Sequence, residues 1–92
     1  MKKFKESLNT IVFTSKYVAI EGSPIVYVAH HEDGSWEFWG NQIIDESEIM
    51  LVTLEQILNK DNTILDLADL PFEFSAQRNS KDDDWIIQPE RP

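Results

Sequence analysis

The residues with most chemistry in this chain stand together: His30, His31, Glu32 and Asp33, with Glu37 a short distance on. An imidazole beside a carboxylate can move protons near neutral pH. Imidazoles and carboxylates together can also hold a metal. The surrounding pattern decides between these readings. Ile25 to Ala29 is an apolar run rich in β-branched residues, and Asp33-Gly34 is a turn signal followed by Trp36 to Trp39, so the stretch from Pro24 to Gly40 reads as a β-hairpin. Adjacent strand residues point to opposite faces, so His30 and His31 cannot easily share one ion. A zinc site needs three or four converging ligands. The expectation is therefore structural: His30 pairs with Glu37 across the strands, and His31 lies near Trp36 at the hairpin tip.

Other catalytic patterns are missing. The chain has no cysteine and only Gly22, Gly34 and Gly40, which leaves no thiol nucleophile and no glycine-rich phosphate loop. No serine sits in a nucleophile elbow. Asp82-Asp83-Asp84 lacks the alternating spacing and glycine of a calcium loop and reads as a solvated charge run. No catalytic, metal or cofactor residues are predicted.

The aromatic residues invite a different chemistry. Placing Asp33-Gly34 as a two-residue loop sets His31 opposite Trp36, His30 opposite Glu37, Ala29 opposite Phe38 and Val28 opposite Trp39. One face then carries Ile25, Tyr27, Ala29, His31, Trp36 and Phe38, the other Val26, Val28, His30, Glu37 and Trp39. Both faces are apolar enough to need cover. Trp36 and Phe38 point away from Trp39, so one side approaches the surface. An exposed Trp ringed by carboxylates suits a protein-binding hot spot. The candidate contact residues are Trp36 and Trp39, with Asp45, Glu46, Glu48, Asp66, Asp69, Asp82, Asp83 and Asp84.

Charge points to the class of partner. The 8 basic and 17 acidic residues of the 92 give a net charge of −9. Lys2, Lys3, Lys5 and Lys16 against Glu6 leave residues 1–16 at +3, so the remainder carries −12. Such a field disfavours nucleic-acid phosphates and anionic lipid and favours basic proteins. The N-terminus has lysines but no continuous apolar stretch of a signal peptide, and no apolar run approaches the ~20 residues of a membrane span. With no cysteine, a cytoplasmic location is expected.

The elements that must position these residues follow from pattern. Thr10 to Ile20 reads as one strand, joined through Glu21-Gly22-Ser23-Pro24 to the hairpin as a meander. Ile49 to Val52 is a short strand or a helix lead-in. Thr53-Leu54-Glu55-Gln56 fits a capping box, with Leu54, Ile57 and Leu58 as the buried stripe. ILDLADL, capped by Thr63 or Asn62, reads as a second short helix ended by Pro71. Phe72 to Ala76 alternates as a strand, and Trp85-Ile86-Ile87 is an edge strand or clasp. The expected fold is α+β: an antiparallel meander of four to five strands with one or two short helices on one face. Residues 1–92 form a single domain, with 1–9 and 88–92 as frayed ends.

The segments SKYV, PIVYVAHHEDGSWEFWG, MLVTLEQIL, LADLP and AQR…DW resemble a family of small uncharacterised bacterial proteins, over about residues 15–85. Its pattern is an H-x-E-D-G-x-W-x-F hairpin, a V-S/T-L-E-x-I-L helix and an L-x-D-L-P segment. The resemblance implies a domain of unknown function related to immunity proteins of bacterial toxin systems. It brings no catalytic residues; His31, Asp33, Gly34, Trp36 and Phe38 serve the hairpin. The expected function is a non-enzymatic module that neutralises or docks a basic protein. The alternatives are a homo-oligomeric accessory domain, and a small enzyme or metal protein using His30, His31 and Glu37.

Overall fold

The Ser15 hydroxyl accepts a hydrogen bond from the Val18 N–H, and this ends the first strand. Satisfying an orphan N–H in this way starts a helix. The strand expected over Thr10–Ile20 is therefore two elements, β1 (Ile11–Ser15) and the single turn α1 (Lys16–Ala19). In the computed structural model, which describes residues 2–90, there follow β2 (Tyr27–His30), β3 (Trp36–Trp39), a 3₁₀ turn at Glu46–Glu48, β4 (Ile49–Thr53), α2 (Leu54–Lys60), a 3₁₀ segment at Asn62–Leu67, β5 (Phe74–Gln77) and β6 (Ile86–Pro89).

The six strands form one sheet in the order β4-β1-β3-β2-β5-β6. The fold is α+β, but the sheet is mixed: β1 runs parallel to β3, and every other pair is antiparallel. This corrects the expected antiparallel meander of four to five strands. α1 and the segment through the buried Ile25 carry the chain past β3, so β1 does not form a hairpin with β2. β6 takes in the expected edge segment at Ile86-Ile87 and runs on into the expected frayed end. Residues 88–89 pair with β5, and the Glu90 N–H donates to the Glu73 carbonyl.

The N-terminal end is likewise fastened. Phe4 is buried and meets the Trp36 ring edge-on at 5.1 Å. Lys2 Nζ donates to the Asp66 carbonyl and to Asp69 Oδ1. The ends predicted at residues 1 and 91–92 lie outside the described residues.

The hairpin forms where expected but one residue out of register. His30 faces Trp36, Ala29 faces Glu37, Val28 faces Phe38 and Tyr27 faces Trp39. The loop has three residues, Glu32 to Gly34. The Gly34 N–H donates to the His31 carbonyl, and the His31 N–H donates to that of Ser35. Only Gly34 takes a positive φ, +91°, whereas a two-residue type I′ loop needs two such residues. Asp33 instead keeps a negative φ and accepts from the Ser35 N–H and hydroxyl.

A one-residue slip exchanges the faces. Val28, His30, Trp36 and Phe38 point into the core, and Trp36 is only 1% exposed. Its proposed contact with a partner is thereby corrected, because no partner reaches a ring at that depth.

The core joins these residues to Val12 and Val52 from the sheet and to Val18, Leu54, Ile57, Ile64 and Leu67 from the helical segments. Each such buried side chain contributes roughly 1.5–3 kcal/mol. α2 begins in the expected capping box: Thr53 Oγ1 accepts from the Gln56 N–H, and Gln56 Oε1 accepts from that of Thr53. The next segment is capped by Asp61 rather than by Thr63 or Asn62, and it is 3₁₀.

Candidate functional site

With α1, α2 and the Asn62–Leu67 segment packed on the core side, the opposite face of the sheet is where surface chemistry collects. On β1 and β4 this face carries Ile11, Phe13, Ile49 and Leu51, which are 56%, 38%, 41% and 60% exposed. Phe13 lies level with Leu51 on one side and Glu37 on the other. The apolar strip thus continues on to the half-buried Trp39 of β3. Contiguous exposed apolar surface of this kind marks an interaction site more often than isolated side chains do.

The strip is bordered by carboxylates held in fixed positions. Glu37 Oε1 accepts from the Trp39 indole at 2.8 Å, and Glu37 Oε2 meets His31 Nε2 at 2.7 Å. The second imidazole nitrogen of His31 lies 3.2 Å from Glu90, which also accepts from the Tyr27 hydroxyl at 2.8 Å. Ionised carboxylates only accept, so the imidazole makes both contacts at once only when both nitrogens carry hydrogen. The Tyr27 hydroxyl is pushed above its ordinary value of 10.0, first by burial and then by its bond to Glu90. This cluster is the reverse of the expected pairing. His31 pairs with Glu37, and His30 stacks on Trp36 at 3.8 Å.

Glu73 stands beside the cluster at φ +65°, the only positive φ among the described residues other than glycine. Its N–H donates to the His30 carbonyl and its carbonyl accepts from the Glu90 N–H, which holds it there.

The predicted acidic residues fall in three separate places. At the Ile49 end of the strip, Asp45 caps the 3₁₀ turn, and Glu48 accepts from the Tyr17 hydroxyl and pairs with Lys16 at 3.6 Å. The Ser47 hydroxyl and N–H hold Asp45 below its ordinary value. The Tyr17 hydroxyl, followed by the Asp45 N–H, does the same for Glu48. Glu46 is exposed beside them. Asp82, Asp83 and Asp84 are exposed in the β5–β6 loop, and two of them line a cleft with Tyr27, Gln77 and Ile86 at the other end of the sheet. Asp66 and Asp69 lie on the helical side, tied to Lys2, away from the strip.

Sequence reasoning missed Arg78. Its side chain is buried: Nη2 pairs with Asp61 at 2.8 Å, Nε and Nη2 donate to the Ile25 carbonyl, and the guanidinium lies 4.0 Å above the Trp85 ring. Nothing in the spacing of Asp61 and Arg78 announces a pair that only the tertiary fold brings together. Among the described residues, no group of three or more His, Asp or Glu side chains could hold a metal, and no helix is long and apolar enough to cross a membrane. No protein-family model, curated protein or solved structure matches the chain.

Proposed function

We propose that this chain is a non-enzymatic protein-binding module whose uncovered sheet face docks a basic protein. The observation that supports this most is the exposed strip of Ile11, Phe13, Ile49 and Leu51, joined to Trp39 and bordered by Glu37, Glu46 and Glu48, with Glu90 beyond His31. An apolar centre with an anionic rim fits a cationic partner: the rim steers encounter and the centre supplies the desolvated anchor. The charge of −12 beyond residue 16 agrees with this. Within the proposal the protein is bacterial and cytoplasmic, and it acts as an immunity protein that neutralises a basic toxin.

The test is affinity capture from the native host's extract, using the native chain and Phe13→Ser/Leu51→Asp as baits at low and high salt. The proposal expects a basic protein on the native bait alone, weakened by salt. Recovery of the same proteins on both baits counts against it.

A second reading is a homo-oligomer. β4 is an edge strand whose exposed Ile49 and Leu51 could meet a second copy, and it carries no Lys or Pro to block edge pairing. The net charge of −9 per chain opposes this.

A further inference from the structure

On the helical side of the sheet, His30 is fixed on three sides. Its ring is stacked on Trp36, lies 4.8 Å from Phe72, and has Nδ1 2.7 Å from the Leu70 carbonyl. A carbonyl only accepts, so Nδ1 carries the hydrogen and the Nε2 of the neutral ring is a bare acceptor. That atom is buried and has no hydrogen-bond partner. Buried polar atoms are almost always paired, so an unpaired one needs a reason.

What faces Nε2 is a second acceptor. Glu6 Oε2 lies 3.8 Å away and is itself held by the Trp36 indole N–H at 2.9 Å. The Glu6 side chain is 25% exposed and that of His30 7%, so the pair spans the boundary between solvent and core. Beside them opens a cleft of about 380 Å³, lined by both residues with Ala68, Leu70, Pro71 and Phe72 and with Lys5 and Asp69 also on its wall.

We infer that this cleft binds a primary ammonium group on an apolar stem. Two acceptors 3.8 Å apart can share one donor nitrogen placed ~2.8 Å from each, the usual length of a charge-assisted bond. An ammonium supplies two N–H groups in that fork and neutralises Glu6. The apolar stem then lies along Leu70, Pro71 and Phe72. Lys5 disfavours a second positive charge at the far end of the ligand. The same chemistry can come from a free alkylamine or from the lysine of another protein.

The experiment is an NMR titration of the full chain, with ¹⁵N-labelled histidine, using n-butylamine, benzylamine and Nα-acetyl-lysine methylamide. Benzyl alcohol and benzoate are the controls. The amines are expected to shift His30 Nε2 and the Ala68 and Leu70 amides saturably, and the controls are not. Glu6→Gln keeps an acceptor for Trp36 and should weaken amine binding about tenfold or more. Glu32→Gln, away from the cleft, should leave it unchanged. Tighter binding of the lysine derivative than of n-butylamine assigns the cleft to a protein's lysine, and the reverse order assigns it to a free amine. No saturable shift, equal binding of benzyl alcohol, or a free protein in which His30 Nε2 already donates to Glu6 would overturn the inference.

Discussion

The Arg78 guanidinium meets the Asp61 carboxylate, the Ile25 carbonyl, the Thr63 hydroxyl and the Lys81 carbonyl with the two-dimensional fork that only arginine has. Asp61 in turn accepts from the Thr63 N–H, so one ion pair joins the end of α2, the segment before β2 and the end of β5. Arg78→Met strands a buried carboxylate and should cost about 3–5 kcal/mol in urea unfolding. Arg78→Lys should recover little, because an ammonium cannot serve the Ile25 carbonyl and Asp61 in the same geometry. Recovery of most of the stability by lysine would show that charge alone matters.

Acid should weaken the fold at a second set of residues. Asp45 and Glu48 are held below their ordinary values of 3.8 and 4.5. A lowered carboxyl contributes stability that is present above its unfolded value and lost as pH falls through the folded one. The urea midpoint should therefore drop as pH falls below about 4, and Asp45→Asn/Glu48→Gln should start lower at pH 6 and show a shallower drop. Tyr27 works at the other limit. Its raised hydroxyl contributes below pH 10.0 and ceases to contribute as alkali ionises it.

Elements whose determinants are local were legible in the sequence. Thr53 and Gln56 announce the start of α2, and the Leu54 and Ile57 spacing gives its buried side. Asp33-Gly34 marks the hairpin. Its register was not legible, because the same dipeptide serves a two-residue loop with two left-handed residues and a three-residue loop with one. That single difference moves Trp36 into the core and exchanges the surroundings of His30 and His31. The placing of β1 against β3 was hidden for another reason: a four-residue helix such as Lys16–Ala19 is too short to leave a period of its own.

Backbone geometry offers a check at this scale. Glu73 sits at φ +65°, so Glu73→Gly should be more stable than Glu73→Ala by about 1 kcal/mol, the reverse of the usual order. Gly34→Ala has open space for its Cβ and should still cost about 1–2 kcal/mol from its φ alone. A neutral Gly34→Ala would favour a different loop.

At the scale of the whole molecule, one side of the sheet is closed by helical segments and the other is left apolar in a strongly acidic chain. Composition made the charge legible, but it could not say that the predicted acids lie in three places, with only those near Glu46 bordering the strip and Asp82 to Asp84 at the far edge of the sheet. Substituting Asp45, Glu46 and Glu48 together should slow association with a basic partner and flatten its salt dependence. Asp66→Asn/Asp69→Asn, on the helical side, should change neither. Sedimentation should find a monomer at micromolar concentration; a dimer abolished by Leu51→Asp would give the strip to a second copy of the chain.

The most direct measurement is hydroxyl-radical footprinting of the protein, free and bound to its captured partner. The account predicts that Ile11, Phe13, Trp39 and Leu51 lose labelling on binding while the exposed Ile20 labels as before. Protection of Ile20, with the strip labelled as in the free protein, would contradict it.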